Sequence, residues 1–444
     1  MTSDTLNQDR GRLRGRPVYV VDGARTPFLK VRGRPGPFHA SDLALMAGRA
    51  LLTRLAVAPR QVDQVVLGCV SSGPDEANIA RVVSLRLGCG ERVPAWTVQR
   101  NCASGMQALE SAALDIANGR SELVLAGGTE AMSHHPVMLN ELMVAWLGAW
   151  GQARTVGARG RALLQLRAAH FKPIVALLRG LTDPVVGLSM GQTAEELAER
   201  FRIDRAAMDA YAVRSHQRLA AALESSRMDE VEPLYDGDGK LYEQDDGLRA
   251  DSSVDALGRL RPVFDRAIGR VTAGNSAQVT DGAAMLLLAS ADAVERHGLP
   301  VLGQIVDSEW AGLDPAQMGL GPVHAMTPMM QRHALQSDDI GTWEINEAFA
   351  VQVLACLRAW SSDDYCRAHL GLAHGFDPID ETRLNIDGGG ISIGHPVGAS
   401  GARITLHALK VMQRDRLALG MASLCIGGGQ GGALLLAREG GTEA

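Results

Sequence analysis

Residues 101–128 read Asn101-Cys-Ala-Ser-Gly-Met-Gln-Ala-Leu-Glu-Ser-Ala-Ala-Leu-Asp-Ile-Ala-Asn-Gly-Arg-Ser-Glu-Leu-Val-Leu-Ala-Gly-Gly128. Small residues come first, and then Met106, Leu109, Ala113, Leu114 and Ala117 fall at the spacing of one buried helix face. Gly119 supplies the stop, so the stretch predicts a helix over 101–119. Leu123 to Ala126 follows as an apolar strand closed by Gly127-Gly128. The same order returns near the other end. There His395-Pro396 leads to Ala399-Ser400-Gly401, which opens a helix, and Leu417 to Gly429 supplies the strand and its glycines. Position, order and flanks agree, so the chain reads as two similar α/β halves.

Outward from these stretches the pattern holds. Val18 to Asp22 and Val62 to Cys69 read as strands, with a helix over Ala40 to Leu55 between them. Strands alternating with helices imply a mostly parallel sheet covered on both faces. After Met132 the character changes. Leu142 to Thr182 is helical and basic, with six Lys and Arg and no acid. Gln192 to Ser225 is a long amphipathic helical region, and Glu232 to Pro262 is acidic and irregular. The α/β pattern resumes at Gly282 with a strand over Ala283 to Ala289, which marks the middle section as an insertion.

The 444 residues include 50 Gly and only 18 aromatics (6 Trp, 5 Tyr, 7 Phe). That makeup suits packed α/β layers with many tight turns, and the length allows roughly two to three domains. A net charge of −6 excludes a strongly basic nucleic-acid binder. With 46% hydrophobic and 21% charged residues, wholesale disorder is excluded as well. No apolar run reaches the roughly 18 residues of a membrane-spanning helix. Residues 1–17 carry Arg10, Arg12, Arg14 and Arg16, lack the apolar stretch of a secretory signal, and read as a disordered tail. The expected location is the cytoplasm.

Cys102 falls where a loop meets a helix N-terminus. Free amides and the helix dipole there stabilise a thiolate and lower its pKa, and Gly105 would let a ligand approach the backbone. His395 lies in Asp387-Gly-Gly-Gly-Ile-Ser-Ile-Gly-His-Pro-Val-Gly-Ala-Ser-Gly401, a backbone able to wrap closely around a ligand. Cys425 precedes Ile426-Gly-Gly-Gly-Gln-Gly-Gly432. Its formal match to a dinucleotide fingerprint fails, because a strand follows rather than a helix and only 12 residues remain. Bare amides beside a thiol fit the loop better. Asn346 stands before a helical segment running through Leu357, as its cap or as the holder of a catalytic water. Cys356, Cys366, His369 and His374 lack the close first pair of a zinc site, so no metal is expected. Two cysteines, one histidine and an Asn at glycine-rich turns point to acyl transfer through a thioester. One cysteine attacks a carbonyl, the histidine takes its proton, and the second cysteine moves a proton at the neighbouring carbon.

At this point the chain resembles the thiolase family, in its acetyl-CoA acetyltransferase and 3-ketoacyl-CoA thiolase branches. The resemblance rests on Ala24-Arg-Thr-Pro-Phe28, Asn101-Cys-Ala-Ser-Gly105, Ala126-Gly-Gly-Thr-Glu-Ala-Met132, Met190-Gly-Gln-Thr-Ala-Glu195, Val271-Thr-Ala-Gly-Asn275, Asp281-Gly-Ala-Ala284, Asn346-Glu-Ala-Phe-Ala350, Gly394-His-Pro396 and Cys425-Ile-Gly-Gly-Gly429. It implies two βαβαβαββ halves in a five-layered α-β-α-β-α core. Residues 18–131 with 279–299 would form one half and 300–444 the other, with a loop domain over CoA at 132–278. It implies that Cys102 is the acyl acceptor and His395 its activator. With a water held by Asn346, His395 would form one oxyanion hole, and the amides of Cys102 and Gly427 would form the second. Cys425 is implied as the acid/base. Met190 and Phe349 would line the pantetheine or acyl channel. In the family Asn275 is followed by an Ala-Ser-Gly-like stretch whose Ser contacts CoA; this chain departs from it with Ser276-Ala277-Gln278, and Ala277 is the implied CoA-side position. CoA is implied as a substrate, with no cofactor.

Two features narrow the resemblance. Glu76-Ala-Asn-Ile-Ala-Arg81 and the basic insertion look like the thiolase subunit of fatty-acid-oxidising trifunctional complexes, which commonly carry His where Asn346 stands. β-Oxidation is thus the expected setting, and two-acetyl-CoA condensation the alternative. A ketoacyl synthase would have a second active-site His in place of Cys425. A silent lipid carrier on this fold would lack one of the three side chains. Expected partners are acyl-CoA and CoA, a second copy as a homodimer or dimer of dimers, and a partner subunit or membrane surface at 142–182, but no nucleic acid.

Overall fold

Each half is one sheet, and the two sheets share a strand order. The computed structural model describes residues 13–438. In the first half, β1 (Tyr19–Arg25), β2 (Gln64–Gly68), β3 (Ala95–Val98), β4 (Leu123–Ala131) and β5 (Thr280–Ala289) line up as β3-β2-β4-β5-β1. In the second, β6 (Gly303–Gly312), β7 (Thr342–Ile345), β8 (Leu419–Ile426) and β9 (Gln430–Ala437) line up as β7-β8-β9-β6. The place of β3 is taken there by a single parallel bridge from Trp343 to Leu384. In both halves only the last strand, β5 or β9, runs against the others. The sheets meet edge to edge where β1 pairs β6 at Tyr19–Gln304 and Val20–Gly303.

Alternation along the strands sets the layers. On β4, Leu123 and Leu125 face α1 (Ala40–Arg54) and α2 (Ile79–Leu87), while Val124 and Ala126 face the middle of the molecule. There α3 (Ser104–Ala117) packs beside a later helix over Ser400–Asp415, between the two sheets. Helices over Gly321–His333 and Ala350–Trp360 cover the far face of the second sheet. The result is the five-layered α-β-α-β-α core that the resemblance implied.

Three local expectations fail for identifiable reasons. First, β4 does not stop at Gly127-Gly128 but runs to Ala131. The glycines are crossings, because a Cβ on Gly128 would lie 1.9 Å from the Gly398 carbonyl oxygen. Second, Asn346 caps no helix: the helix starts at Ala350, with Phe349 in the cap position. Third, the tail is ordered from Leu13. Arg16 bonds the carbonyls of Ile116 and Ser121 and pairs with Glu122 at 2.6 Å, tying residues 13–17 to the end of α3. The rest of the predicted tail, residues 1–12, lies outside the described residues.

The insertion contributes α4 (Glu141–Gln152), α5 (Val156–Gln165), α6 (Met190–Arg200) and α7 (Arg205–Glu224). The helical region at 192–225 is thus two helices, divided where Arg202 turns left-handed and Asp204 caps α7 through the Ala207 amide. Leu197, Met208 and Tyr211 share the core of the second half. A buried charge cluster adds a second tie. Arg25 of the first half pairs with Glu230 and Asp245 of the insertion, and Glu230 pairs with His407 of the second half at 3.0 Å. Burial opposes a charge on His407, but Glu230 and Asp387 outweigh it and raise its pKa to about 10, so the imidazolium belongs to the cluster at neutral pH. Stranding one partner of such a pair costs about 3–5 kcal/mol.

Candidate active site

Three loops from the two halves meet over one cavity. The first joins β3 to α3 and carries Cys102. It is held by Ser104, whose hydroxyl donates to the Asn101 carbonyl at 2.7 Å and accepts from the Arg100 amide at 2.9 Å. The second is the end of β8, which carries Cys425, and the turn after it, which carries Gly427. Asn101 donates to the Gly427 carbonyl at 2.8 Å and so ties the first two loops together. The third runs from Asn385 to Ala399 and carries His395. Its backbone reaches a φ of +118° at Gly394, a region that favours glycine, and the His395 amide donates to the Gln278 carbonyl at 3.0 Å.

Cys102, His395, Cys425, Met190, Phe349 and Ala277 all line this cavity of about 350 Å³. Gly427 joins Cys102 on an adjoining cavity of about 280 Å³. Asn346 is on the wall of neither. It is buried behind the imidazole, with its side-chain nitrogen 3.5 Å from His395 Nδ1. Gly105 too is on neither wall. A Cβ there would lie 2.8 Å from the Gly398 carbonyl oxygen, so its close approach is between the first and third loops.

The electrostatics correct one expectation. Burial pushes the Cys102 thiol up, and the Gly427 amide and Cys102's own amide only partly offset it. The helix start does not make a resting thiolate, so a base is needed. His395 can be that base. Its Nδ1 lies 2.6 Å from the Ser400 hydroxyl, which donates to the Pro396 carbonyl at 3.0 Å. The Nδ1 proton therefore goes to Ser400, and Nε2 is the basic nitrogen. Nε2 has no hydrogen-bond partner among the described residues. Burial, with Arg403 adding to it, lowers the His395 pKa to about 4, so the ring is neutral at pH 7. Cys425 is pushed well up by burial first and by Cys102 second, which keeps it a protonated thiol able to act as an acid.

These values set a pH profile. A base that must be neutral works above its pKa, so the acid limb of kcat/KM falls near pH 4. Initial rates between pH 4 and 9 check this, and a limb centred near 6.5 would contradict it.

Some site residues carried no sequence signal. Glu347 holds the third loop: it accepts from Tyr211, Ser215, Asn385 and the Ile391 amide at 2.7–3.2 Å. Ser400 was legible only as part of a helix start. Leu181, Thr182 and Phe264 reach the cavity from the insertion, where nothing local marks them.

Comparison with known proteins agrees with this geometry. The family described as "Thiolase, N-terminal domain" matches residues 18–292, and "Thiolase, C-terminal domain" matches 299–438. A 3-ketoacyl-CoA thiolase of Vibrio cholerae is 34% identical over 428 residues, 96% of this chain and 98% of that protein. A beta-ketoadipyl-CoA thiolase of Pseudomonas aeruginosa is 38% identical over 431 residues, 95% of this chain and 99% of that protein. Human mitochondrial 3-ketoacyl-CoA thiolase, solved in complex with CoA, superposes with a TM-score of 0.80 at 35% identity, covering 95% of this chain and 98% of that one. Matched through both halves and across nearly the whole of its relatives, the chain belongs to the thiolase family.

Proposed function

We propose that this thiolase works in the degradative direction, as an acyl-CoA:acetyl-CoA C-acyltransferase in fatty-acid β-oxidation. It cleaves 3-ketoacyl-CoA with CoA to give acetyl-CoA and an acyl-CoA two carbons shorter. The observation that carries the reading is two protonated thiols and a neutral imidazole on one cavity wall.

His395 Nε2 takes the Cys102 proton as sulfur attacks the 3-keto carbon. Negative charge develops on the keto oxygen, beside the Nε2–H of His395 and a water that Asn346 would hold. As this oxygen re-forms a carbonyl, the bond between C2 and C3 breaks. The electron pair passes to C2 as the enolate of acetyl-CoA, held by the amides of Cys102 and Gly427. Cys425 protonates C2, and acetyl-CoA leaves. CoA sulfur then attacks the acyl-Cys102 carbonyl as its thiol proton passes to the Cys425 thiolate, and the shortened acyl-CoA departs as His395 returns its proton to the Cys102 sulfur. Every proton and electron pair moves between these side chains and the substrates, so CoA is a substrate and no cofactor is called for. Met190, Phe349 and Ala277 wall the pantetheine side, and the insertion covers it. Ser276 donates to the Thr272 carbonyl at 2.7 Å, so 276–277 offers CoA shape and backbone rather than a hydroxyl. CoA-dependent cleavage of 3-ketodecanoyl-CoA tests the reading. Cleavage confined to acetoacetyl-CoA would indicate the two-carbon condensing enzyme instead.

Homodimers, or dimers of dimers, fit an open sheet edge: β3 ends the first sheet, and Trp96 on it is exposed. The face of 142–182 fits an anionic membrane surface. Among the described residues no helix is long and apolar enough to cross a membrane. On this face Val156 is 90% and Leu164 85% exposed, beside Arg154, Arg159 and Arg161. Wild-type protein is expected to co-sediment with vesicles containing anionic lipid, and the Val156→Glu/Leu164→Glu variant to remain in solution. Equal co-sedimentation of both would rule the surface out, and a partner subunit would be the remaining occupant.

A further inference from the structure

We propose that the acyl chain runs from Cys102 along the insertion to an opening on the protein surface. The preferred substrates would then be long, unbranched 3-ketoacyl thioesters, with Gly180 at the junction of the second and third cavities, where an added side chain would limit chain length. The inference rests on the degradative reading above and adds the substrate class. The juxtaposition of three cavities carries it.

The cavity of about 350 Å³ holding the three reactive side chains shares Cys102, Met132, Leu181, Thr182, Met190 and Val397 with the second, of about 280 Å³. The second shares Asn101, Gly180, Thr182, Asp183 and Pro184 with a third, of about 1020 Å³. Leu178 lines both the first and the third, so the three follow one another around the segment 177–184. The chain enters the second cavity as the thioester forms at Cys102, because pantetheine occupies the first.

The chemistry of the second cavity selects the chain. Val70, Leu177, Leu181, Pro184, Val185 and Val397 form apolar wall. Its carboxylate, Asp183, is turned to the amides of Val185 and Val186 at 2.8 and 3.1 Å. Among the described residues no Lys or Arg lines it, and His135 is paired with Glu130 at 3.3 Å. A short chain ending in a carboxylate would stop against Asp183 with no cation to meet it. An alkyl chain loses nothing in the second cavity and continues into the third, a mixed surface where Ile174, Val175 and Leu178 offer apolar wall beside Lys172, Arg179 and Asn140.

Gly180 lines the second and third cavities, and a Cβ built on it meets nothing within 4 Å. Its φ is not left-handed, so a larger side chain enters the passage without backbone strain. Ala176 lines only the third cavity, farther from Cys102. Gly180→Phe therefore blocks the path early, and Ala176→Trp blocks it late.

The test is kcat/KM on acetoacetyl-, 3-ketodecanoyl- and 3-ketohexadecanoyl-CoA for the wild type and both variants. The wild type is expected to favour the sixteen-carbon substrate over acetoacetyl-CoA. Gly180→Phe should lower the ratio of sixteen-carbon to acetoacetyl turnover by at least about tenfold, the scale on which apolar pockets discriminate. Ala176→Trp should lower the sixteen-carbon rate more than the ten-carbon rate. An unchanged ratio in both variants overturns the proposal, as does a wild type that cleaves acetoacetyl-CoA but not the sixteen-carbon substrate. If Gly180→Phe fails to fold, the Ala176→Trp ratio decides. A wild type that cleaves acetoacetyl-CoA alone, or none of the three, would defeat the degradative reading itself, whereas one that cleaves the ten-carbon but not the sixteen-carbon substrate overturns only the chain-length proposal.

Discussion

Cys102→Ser is expected to abolish thiolysis, lowering kcat at least about 10⁴-fold, the scale of removing a covalent nucleophile. The substitution changes one atom, but that atom carries the mechanism. A hydroxyl is far harder to deprotonate than a thiol, and the available base is weak, with His395 near pKa 4. The Cys102 side chain faces the cavity between two fixed loops, so serine fits the same space and stability changes by no more than about 1 kcal/mol. Steady-state cleavage of acetoacetyl-CoA beside a thermal melt checks both halves of the statement. A variant with near-normal turnover would remove Cys102 from its role.

Cys425→Ala separates the two half-reactions. The thiol is buried and protonated, and its proposed task is to protonate C2 of the leaving enolate. Without it, carbon–carbon cleavage should fall about 10²–10⁴-fold, the usual value of a positioned acid. Acyl exchange between acyl-CoA and free CoA needs only Cys102, His395 and the amides. Exchange of labelled CoA into acyl-CoA should therefore persist within a few-fold of normal. If exchange and cleavage fell together, Cys425 would be holding Cys102 in place rather than moving a proton.

The repeat was legible because the helix after Cys102 and the helix after His395 have matching flanks, and a repeated unit needs a repeated pattern. The strand order was not legible: it emerges only from the pairing of the folded sheets. The end of β4 was not legible, because a glycine pair reads as a turn unless one knows that the Gly398 carbonyl crosses there. Cys102, His395 and Cys425 stood out through their glycine-rich surroundings, and they do share a cavity. The Cys102 thiol is shifted up rather than down: a helix start is visible in a sequence, while the burial that outweighs it depends on segments that only the fold brings around the thiol. Glu347, Ser400 and the wall at 177–184 act through contacts between distant segments, and no local spacing encodes those.

The central claim is a covalent acyl-Cys102 intermediate, and peptide mass spectrometry tests it most directly. Wild-type protein is mixed with 3-ketodecanoyl-CoA in the absence of free CoA, then quenched and digested. The account predicts an octanoyl adduct on the peptide containing Cys102, released acetyl-CoA in equal amount, and loss of the adduct when CoA is added. An adduct on Cys425, or turnover with CoA and no adduct on Cys102, would contradict it.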